Sequence, residues 1–241
     1  MTQTIRSVQT AYVPVRQKKK AKRMRDPYDG LRFWSAATHG VGAMAAAVSG
    51  VALLVFAART GGDAMTLGSL AVFVCAMVAL YLASCLYHCV NTSVQGRLFL
   101  RKLDHAMIYV LIAGTYTPIC LGVLEPSVGY GLCAAVWSMA VLGVAITMLW
   151  LNAPRLLTTA FYVGMGWTAL LALEPLMAAL NSTAFFWMLA GGVTYTVGGV
   201  LYALKWPCKN GEKFGCHEIF HLFVLAGSAC FYAVMWAAFV A

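Results

Sequence analysis

Long apolar stretches separated by short polar ones organise this sequence. The apolar stretches cover residues 33–58, 66–90, 105–121, 128–151, 156–177, 182–204 and 217–240. A membrane-spanning helix needs about 20 mostly apolar residues, and in lipid a single segment satisfies its own backbone hydrogen bonds only as a helix. The residue-by-residue alternation of membrane β-strands is missing. The pattern therefore predicts seven transmembrane helices.

The polar separators favour short connections between these helices. They contain the residues that usually end a helix, such as Gly61-Gly62-Asp63, Glu125-Pro126 and the segment 207–215. The predicted fold is an all-α polytopic membrane protein, a seven-transmembrane helix bundle. Residues 1–32 form a basic cytoplasmic tail, and residues 33–241 form one transmembrane domain.

Composition excludes a soluble protein. The chain has 241 residues, of which 61% are hydrophobic and 10% charged. A soluble domain has about 45–50% apolar and about 25% charged residues. The chain therefore has too few charges to cover a water-facing surface, which supports a multi-pass protein of the cell membrane, predicted to be the bacterial inner membrane.

The positive charge is concentrated in the N-terminal tail. The formal net charge is +9, and seven lysines and arginines lie between Arg16 and Arg25. Such a cluster beside a membrane helix attracts anionic lipids. Because no nucleic-acid-binding motif accompanies it, we predict that the tail contacts anionic lipids and that the protein binds no nucleic acid.

The distribution of lysine and arginine between alternate loops predicts the orientation. With the N-terminus in the cytoplasm, every lysine and arginine except Arg59 falls on the cytoplasmic side. Basic residues are retained on that side in membrane proteins. We therefore predict a cytoplasmic N-terminus and a C-terminus outside.

All five histidines fall at the cytoplasmic ends of the predicted helices. They are His39, His88, His105, His217 and His221. Histidines that serve only packing would fall at either face. Asp104 lies at the same level, and an ionisable residue in a membrane span is functional by default.

The spacing of three histidines predicts a metal site. His88 ends the second span and His217 begins the seventh, so the two can meet near the interface. His221 and Ser84 lie one helical turn deeper, because residues four apart share a helix face. Three imidazoles leave the fourth tetrahedral position open to water, as in catalytic zinc sites.

Two polar residues beside this site suggest hydrolysis. Asp104 can accept a hydrogen bond from a metal-bound water or orient a histidine, and Ser84 can donate to the water or to a substrate carbonyl. A divalent ion brings the pKa of bound water toward about 7. The site can therefore run metal-assisted hydrolysis of a lipid amide or ester.

The stretch from His217 to His221 also matches the H-E-x-x-H pattern of zinc proteases. The residues after His221 contain no His, Asp or Glu to act as a downstream ligand, which argues against a protease. Glu218 then has two interpretations: a carboxylate that complements the dipole at a helix N-terminus, or a catalytic group. A haem held by two histidines is a further alternative.

Five motifs together resemble the hemolysin III family, the bacterial branch related to the progestin and adipoQ receptors. The resemblance extends from Arg32 nearly to the C-terminus. The motifs are Ser35-Ala36-Ala37-Thr38-His39-Gly40, Ser84-x-x-x-His88, Asp104-His105-Ala106-Met107-Ile108-Tyr109, Ala113-Gly114-Thr115-Tyr116-Thr117-Pro118 and His217-Glu218-Ile219-Phe220-His221-Leu222-Phe223-Val224.

The resemblance implies a function and alternatives to it. It implies zinc held by His88, His217 and His221, with Asp104 and Ser84 beside the bound water. The wider superfamily includes alkaline ceramidases, so a zinc-dependent hydrolase acting on a membrane lipid is implied. Bacterial members are named hemolysins and connected with membrane fluidity. A receptor-like regulator with structural zinc, and a pore or transporter, therefore remain as alternatives.

Overall fold

The computed structural model describes residues 31–207 and 214–241, and within these ranges it contains helices and no strands. The all-α fold class is confirmed. The α-helices are α1 (Phe33–Arg59), α2 (Ala64–Cys89), α3 (Val94–Gly122), α4 (Pro126–Leu149), α5 (Arg155–Gly166), α6 (Leu173–Ala179), α7 (Ser182–Leu204) and α8 (Cys216–Phe239), with a 3-10 helix at Trp167–Ala172 between α5 and α6.

Seven segments in the described part of the chain are long and apolar enough to cross a membrane. Six are single helices, and the fifth is Arg155–Ala179, which combines α5, the 3-10 helix and α6. Large apolar side chains face outward along these segments, including Val48 at 75% exposure and Leu149 at 88%. A soluble protein rarely exposes so much apolar surface, whereas a protein in a lipid bilayer does. The protein is a multi-pass membrane protein.

The helices form a bundle in which the first and last spans are neighbours. α1 packs against α2, α2 against α3, and α3 against α4, while α7 packs against α8. α8 also packs against α1, which closes the bundle. Since α1 contacts both α2 and α8, the end of α2 and the start of α8 lie beside the start of α1. The candidate site lies at this end of the bundle.

Polar residues in the separators set where three helices begin. The side chain of Asp63 accepts a hydrogen bond from the Thr66 amide at 2.8 Å, and Ser93 accepts one from Gly96 at 3.2 Å. Asn181 does the same for the Ala184 amide. Each side chain satisfies one amide that a helix N-terminus leaves unpaired.

The third helix begins earlier than the hydropathy pattern indicates. α3 begins at Val94, whereas the apolar stretch begins at residue 105. Its first turns contain Arg97, Arg101 and Lys102, which lower the local hydropathy without disfavouring a helix. Apolar length therefore marks the part of the helix in the bilayer rather than its full extent.

The fifth span is interrupted rather than continuous. Pro175 lacks an amide hydrogen, so it cannot continue the ladder of backbone hydrogen bonds. The chain becomes a 3-10 helix at Trp167–Ala172 before α6. The hydroxyl of Tyr116 donates to the Gly166 carbonyl at 2.6 Å and accepts from the Ala169 amide at 2.8 Å. One side chain of α3 thus satisfies backbone groups at the break, as a membrane interior requires.

Several predictions about the N-terminal tail and the orientation are not tested by the structure. The basic tail and its contact with anionic lipids fall on residues 1–30, outside the described ranges. The cytoplasmic location of the N-terminus stays a prediction, as does the division of the chain at residue 32.

Candidate metal centre

Three histidines converge where α2 ends and α8 begins. One ring nitrogen from each of His88, His217 and His221 lies within 4.8 Å of the others. The Nε2 atoms of His88 and His217 are 3.0 Å apart. The structure therefore brings together the three residues that the helical spacing placed at one point.

The chain segments around these histidines explain the convergence. His88 lies in the last turn of α2, and His217 and His221 lie one turn apart at the start of α8. The two helices run in opposite directions, so both ends reach the same face of the bundle. The 3.6-residue repeat turns His217 and His221 to one side of α8, facing His88.

The donor set fits a divalent metal. A tetrahedral zinc with Zn–N bonds of about 2.0–2.1 Å has ligand nitrogens about 3.3 Å apart, close to the distance between the His88 and His217 nitrogens. Ser84 is fully buried, and its Oγ has no hydrogen-bond partner among the described residues. A buried hydroxyl without a partner is costly, and a water on a metal beside it would satisfy it. The cluster can hold a metal ion.

Thr38 orients one of the three rings. Its Oγ1 donates to the Trp34 carbonyl at 2.8 Å and lies 3.5 Å from Nδ1 of His221. A hydroxyl that donates to a carbonyl can accept from Nδ1–H of the imidazole. That tautomer leaves Nε2 unprotonated and able to bind a metal, as outer hydrogen bonds to metal-binding histidines commonly arrange.

His39 is packed against the cluster without belonging to it. Its ring is stacked on that of His221, with centroids 3.7 Å apart and an angle of 8° between planes. His39 is 3% exposed, and the group that could hold a metal ion in the described part of the chain consists of His88, His217 and His221. The contact limits rotation of the His221 ring, so His39 supports a candidate ligand.

Glu218 connects the starts of α1 and α8. Its side chain is fully buried, and Oε1 accepts from Ser35 Oγ at 2.8 Å and from Arg32 Nη1 at 3.2 Å. Oε2 accepts from the Gly215 amide at 2.8 Å, which caps α8. Both carboxylate oxygens are therefore engaged, which favours the structural interpretation of Glu218 over the catalytic one.

Replacing Glu218 with glutamine is expected to destabilise the protein by about 3 kcal/mol. Losing one member of a buried ion pair costs about 3–5 kcal/mol, and the 36% exposure of the Arg32 side chain sets the lower end of that range. Thermal unfolding of the purified protein would measure the change. The control is Glu174→Gln, at an exposed acid on α6. Unfolding of Glu218→Gln at the wild-type temperature would contradict a structural role.

Arg97 holds the end of α2 in place, and the sequence alone did not single it out. It is 1% exposed, and its Nη1 donates to the backbone carbonyls of Tyr87 and Val90. The carbonyl of His88 accepts from the Arg32 amide at 3.0 Å. The last carbonyls of a helix need such outside partners. These bonds fix the turn that carries His88, and nothing in the spacing of Arg97 indicates this role.

A cavity of about 490 Å³ opens onto the histidines. Its lining includes the three histidines together with Ser84 and Asp104. Asp104 is buried, and its Oδ2 lies 3.5 Å from Nδ1 of His105. Ser84 and Asp104 therefore share one cavity with the three histidines. His105 also lines this cavity but lies outside the candidate metal-binding group.

The sequence comparisons identify relatives over most of the chain. Residues 32–232 match a family described as "Haemolysin-III related". The chain is 38% identical over 203 residues to the "Hemolysin-3 homolog" of Bacillus subtilis (strain 168), covering 84% of this chain and 92% of that protein. It is 35% identical to "Hemolysin-3" of Bacillus cereus, covering 84% of this chain and 89% of that protein.

A more distant relative comes from animals. The human "Monocyte to macrophage differentiation factor" is 27% identical over an alignment of 169 residues, and the match covers 66% of this chain and 66% of that protein. The family match includes the first histidine-bearing span, the end of α2, α3 and the start of α8. With its seven membrane spans and its histidine cluster, this chain belongs to the haemolysin III family.

Proposed function

We propose that this protein is a zinc-dependent membrane hydrolase that cleaves an amide or ester bond of a lipid and so serves membrane lipid homeostasis. The observation that carries this proposal is the three-histidine cluster at the wall of a cavity that also contains Asp104 and Ser84. Three imidazoles and an open fourth position are typical of catalytic zinc.

The chemistry requires one activated water and two polar side chains. Zinc held by His88, His217 and His221 would supply a Lewis acid that activates water at neutral pH. Asp104 accepts the proton of the attacking water, and Ser84 donates a hydrogen bond to the carbonyl oxygen of the lipid. The water oxygen bonds to the carbonyl carbon, the C–N or C–O bond breaks, and the proton passes to the leaving nitrogen or oxygen.

The shape of the cavity supports a lipid substrate. From the histidines its lining continues past Ile112 to Trp167 and Phe231. A second cavity of about 60 Å³ shares Trp167 and Phe231 and is lined mainly by apolar side chains such as Leu176. The mainly apolar wall of the second cavity fits an acyl chain, while the polar groups lie in the first cavity near the histidines.

The name of the Bacillus relatives raises a pore as the competing function. A pore would need polar side chains through the depth of the bilayer. In the described part of the chain, the buried charged residues are Arg97, Asp104 and Glu218, and all three lie at the histidine end. This distribution favours a site at one face over a continuous channel.

The test is release of fatty acid by the purified protein in nanodiscs. We expect zinc-loaded protein to release fatty acid from at least one member of a panel of a ceramide, an N-acylethanolamine, phosphatidylcholine and lysophosphatidylcholine. Removing the metal with a chelator should abolish release, and adding zinc should restore it. Release that persists without metal would contradict the mechanism. Stoichiometric zinc without release from any lipid would favour the regulator with structural zinc.

A further inference from the structure

Four basic side chains from different segments line the cavity. They are Arg32 before α1, Arg101 on α3, Arg155 at the start of α5 and Lys205 directly after α7. These helix ends belong to the same face of the bundle as the histidines. In a chain with only 10% charged residues, four cations around one cavity are a concentrated positive charge at its mouth.

The opposing negative charge is small. Arg32 is paired with Glu218 at 3.2 Å, so its charge is largely balanced. Among the described residues that line the cavity, Asp104 is the one carboxylate. Apart from the Arg32–Glu218 pair, the described lining residues therefore carry more positive than negative charge. Such a lining suits a phosphate monoester, which carries about −1.5 to −2 at pH 7.

Arg155 is held close to the candidate metal centre. Its guanidinium lies over the ring of Tyr202 at 4.3 Å, and its Nη1 donates to the Tyr202 carbonyl at 3.3 Å. The Tyr202 ring in turn lies 5.8 Å from that of His217, centroid to centroid. The guanidinium is therefore pre-oriented one aromatic ring away from the histidines. A planar guanidinium binds phosphate oxygens through paired N–H groups.

Lys205 occupies a backbone position that glycine usually takes. It ends α7 with φ of 57°, in the left-handed region, where a side chain is disfavoured and glycine is the common residue. Its side chain lines the cavity. A lysine at this position adds a second cation to the cavity lining that also contains the guanidinium of Arg155.

We infer that the cavity mouth binds the phosphate headgroup of a single-chain lipid, an inference that rests on the proposed hydrolase function and narrows its substrate class. Arg155 and Lys205 contact the phosphate, the carbonyl lies at the histidines, and the acyl chain extends toward Trp167 and Phe231. A volume of about 490 Å³ suits one drug-sized molecule, so one acyl chain fits better than two.

The test compares two lipids that differ only in the phosphate. Binding of 1-oleoyl lysophosphatidic acid and of 1-oleoylglycerol is measured by native mass spectrometry of the protein released from phosphatidylcholine nanodiscs. We expect the phosphate-bearing lipid to bind at least 10-fold more tightly. Equal binding of the two lipids would overturn the inference. Inorganic phosphate is the third probe, and displacement of the lysolipid by equimolar phosphate would assign the site to free phosphate instead.

Two variants and a matched control locate the headgroup. Lys205→Gln and Arg155→Gln should each weaken binding of the lysophosphatidic acid at least threefold and leave 1-oleoylglycerol unchanged. Lys102→Gln removes a neighbouring cation of α3 that does not line the cavity, and it should change binding by less than twofold. Lys205 is exposed, so the Lys205→Gln variant should fold. It therefore tests the site even where Arg155→Gln fails to fold. An equal loss in Lys102→Gln would overturn the inference, because it would indicate general attraction of anions.

The binding assay and the hydrolysis assay test the two proposals separately. Binding needs no turnover, so missing discrimination between the two lipids would overturn the headgroup site alone. Missing fatty-acid release from the lipid panel would overturn the hydrolase activity alone.

Discussion

Replacing His88, His217 and His221 together with alanine is expected to remove the bound metal completely. Purified wild-type protein should contain about one zinc per chain, and the triple variant should contain less than about 0.1, because no imidazole of the group remains. His221→Ala alone should also lose most of the metal, since two nitrogen ligands do not make a stable zinc site. Elemental analysis by mass spectrometry gives the metal content directly.

His105→Ala is the matched control for this experiment. His105 lines the same cavity but lies outside the three-histidine group, so the variant should keep its zinc. The unfolding temperature of each variant, with and without added zinc, separates loss of metal from loss of fold. Zinc at the wild-type level in the triple variant would refute the metal centre, and zinc loss from His105→Ala would show that the ligand set is wrong.

Replacing Asp104 with asparagine is expected to lower fatty-acid release by about 10²- to 10⁴-fold while the zinc content stays unchanged. Asparagine keeps the shape of the side chain but cannot accept the proton of the attacking water, and general base catalysis contributes about that much. Asp104 is buried in the cavity wall without belonging to the metal-binding group. Rates on a lipid that the wild type hydrolyses, together with metal content, measure both effects.

Asp63→Asn provides a comparison with the same chemical change far from the site. Asp63 caps α2 at the opposite end of that helix from His88, and asparagine caps helices as well as aspartate does. This variant should retain wild-type activity. Equal rates for Asp104→Asn and the wild type would exclude Asp104 as the base.

The convergence of the three histidines could be predicted from the sequence, because the repeat of a helix depends only on residues close together in the chain. Once the spans alternate across the membrane, His88 and His217 must lie at one face, and His217 and His221 must lie on one side of their helix. The positive-inside bias added a predicted orientation. None of these steps requires knowledge of how the helices pack.

The residues that hold the trio could not be anticipated in the same way. Arg97 acts on the end of α2 from α3, and Thr38 acts on His221 from α1. Both contacts join residues of different helices, and their formation depends on rotation and depth within the bundle. Sequence spacing contains neither quantity, although Thr38 lies inside one of the motifs that suggested the family.

Departures of the helices from the apolar pattern have a similar cause. The hydropathy of the segment around Arg97 is low, yet α3 includes it because Ser93 caps the helix and Arg97 is buried against α2. The break in the fifth span depends on Tyr116, which supplies the missing hydrogen bonds from another helix. Hydropathy measures transfer into lipid, and it does not record partners from neighbouring helices.

The sequence by itself determined the membrane environment, the seven spans and the face on which the histidines gather, because lipid demands long apolar helices and a helix has a fixed repeat. Only the tertiary structure decided which side chains surround the three histidines, where the cavity runs and which cations reach its mouth. These features arise from contacts between helices far apart in the chain, such as Glu218 with Arg32 and Arg155 with Tyr202. Their geometry is set by packing, which no local pattern specifies.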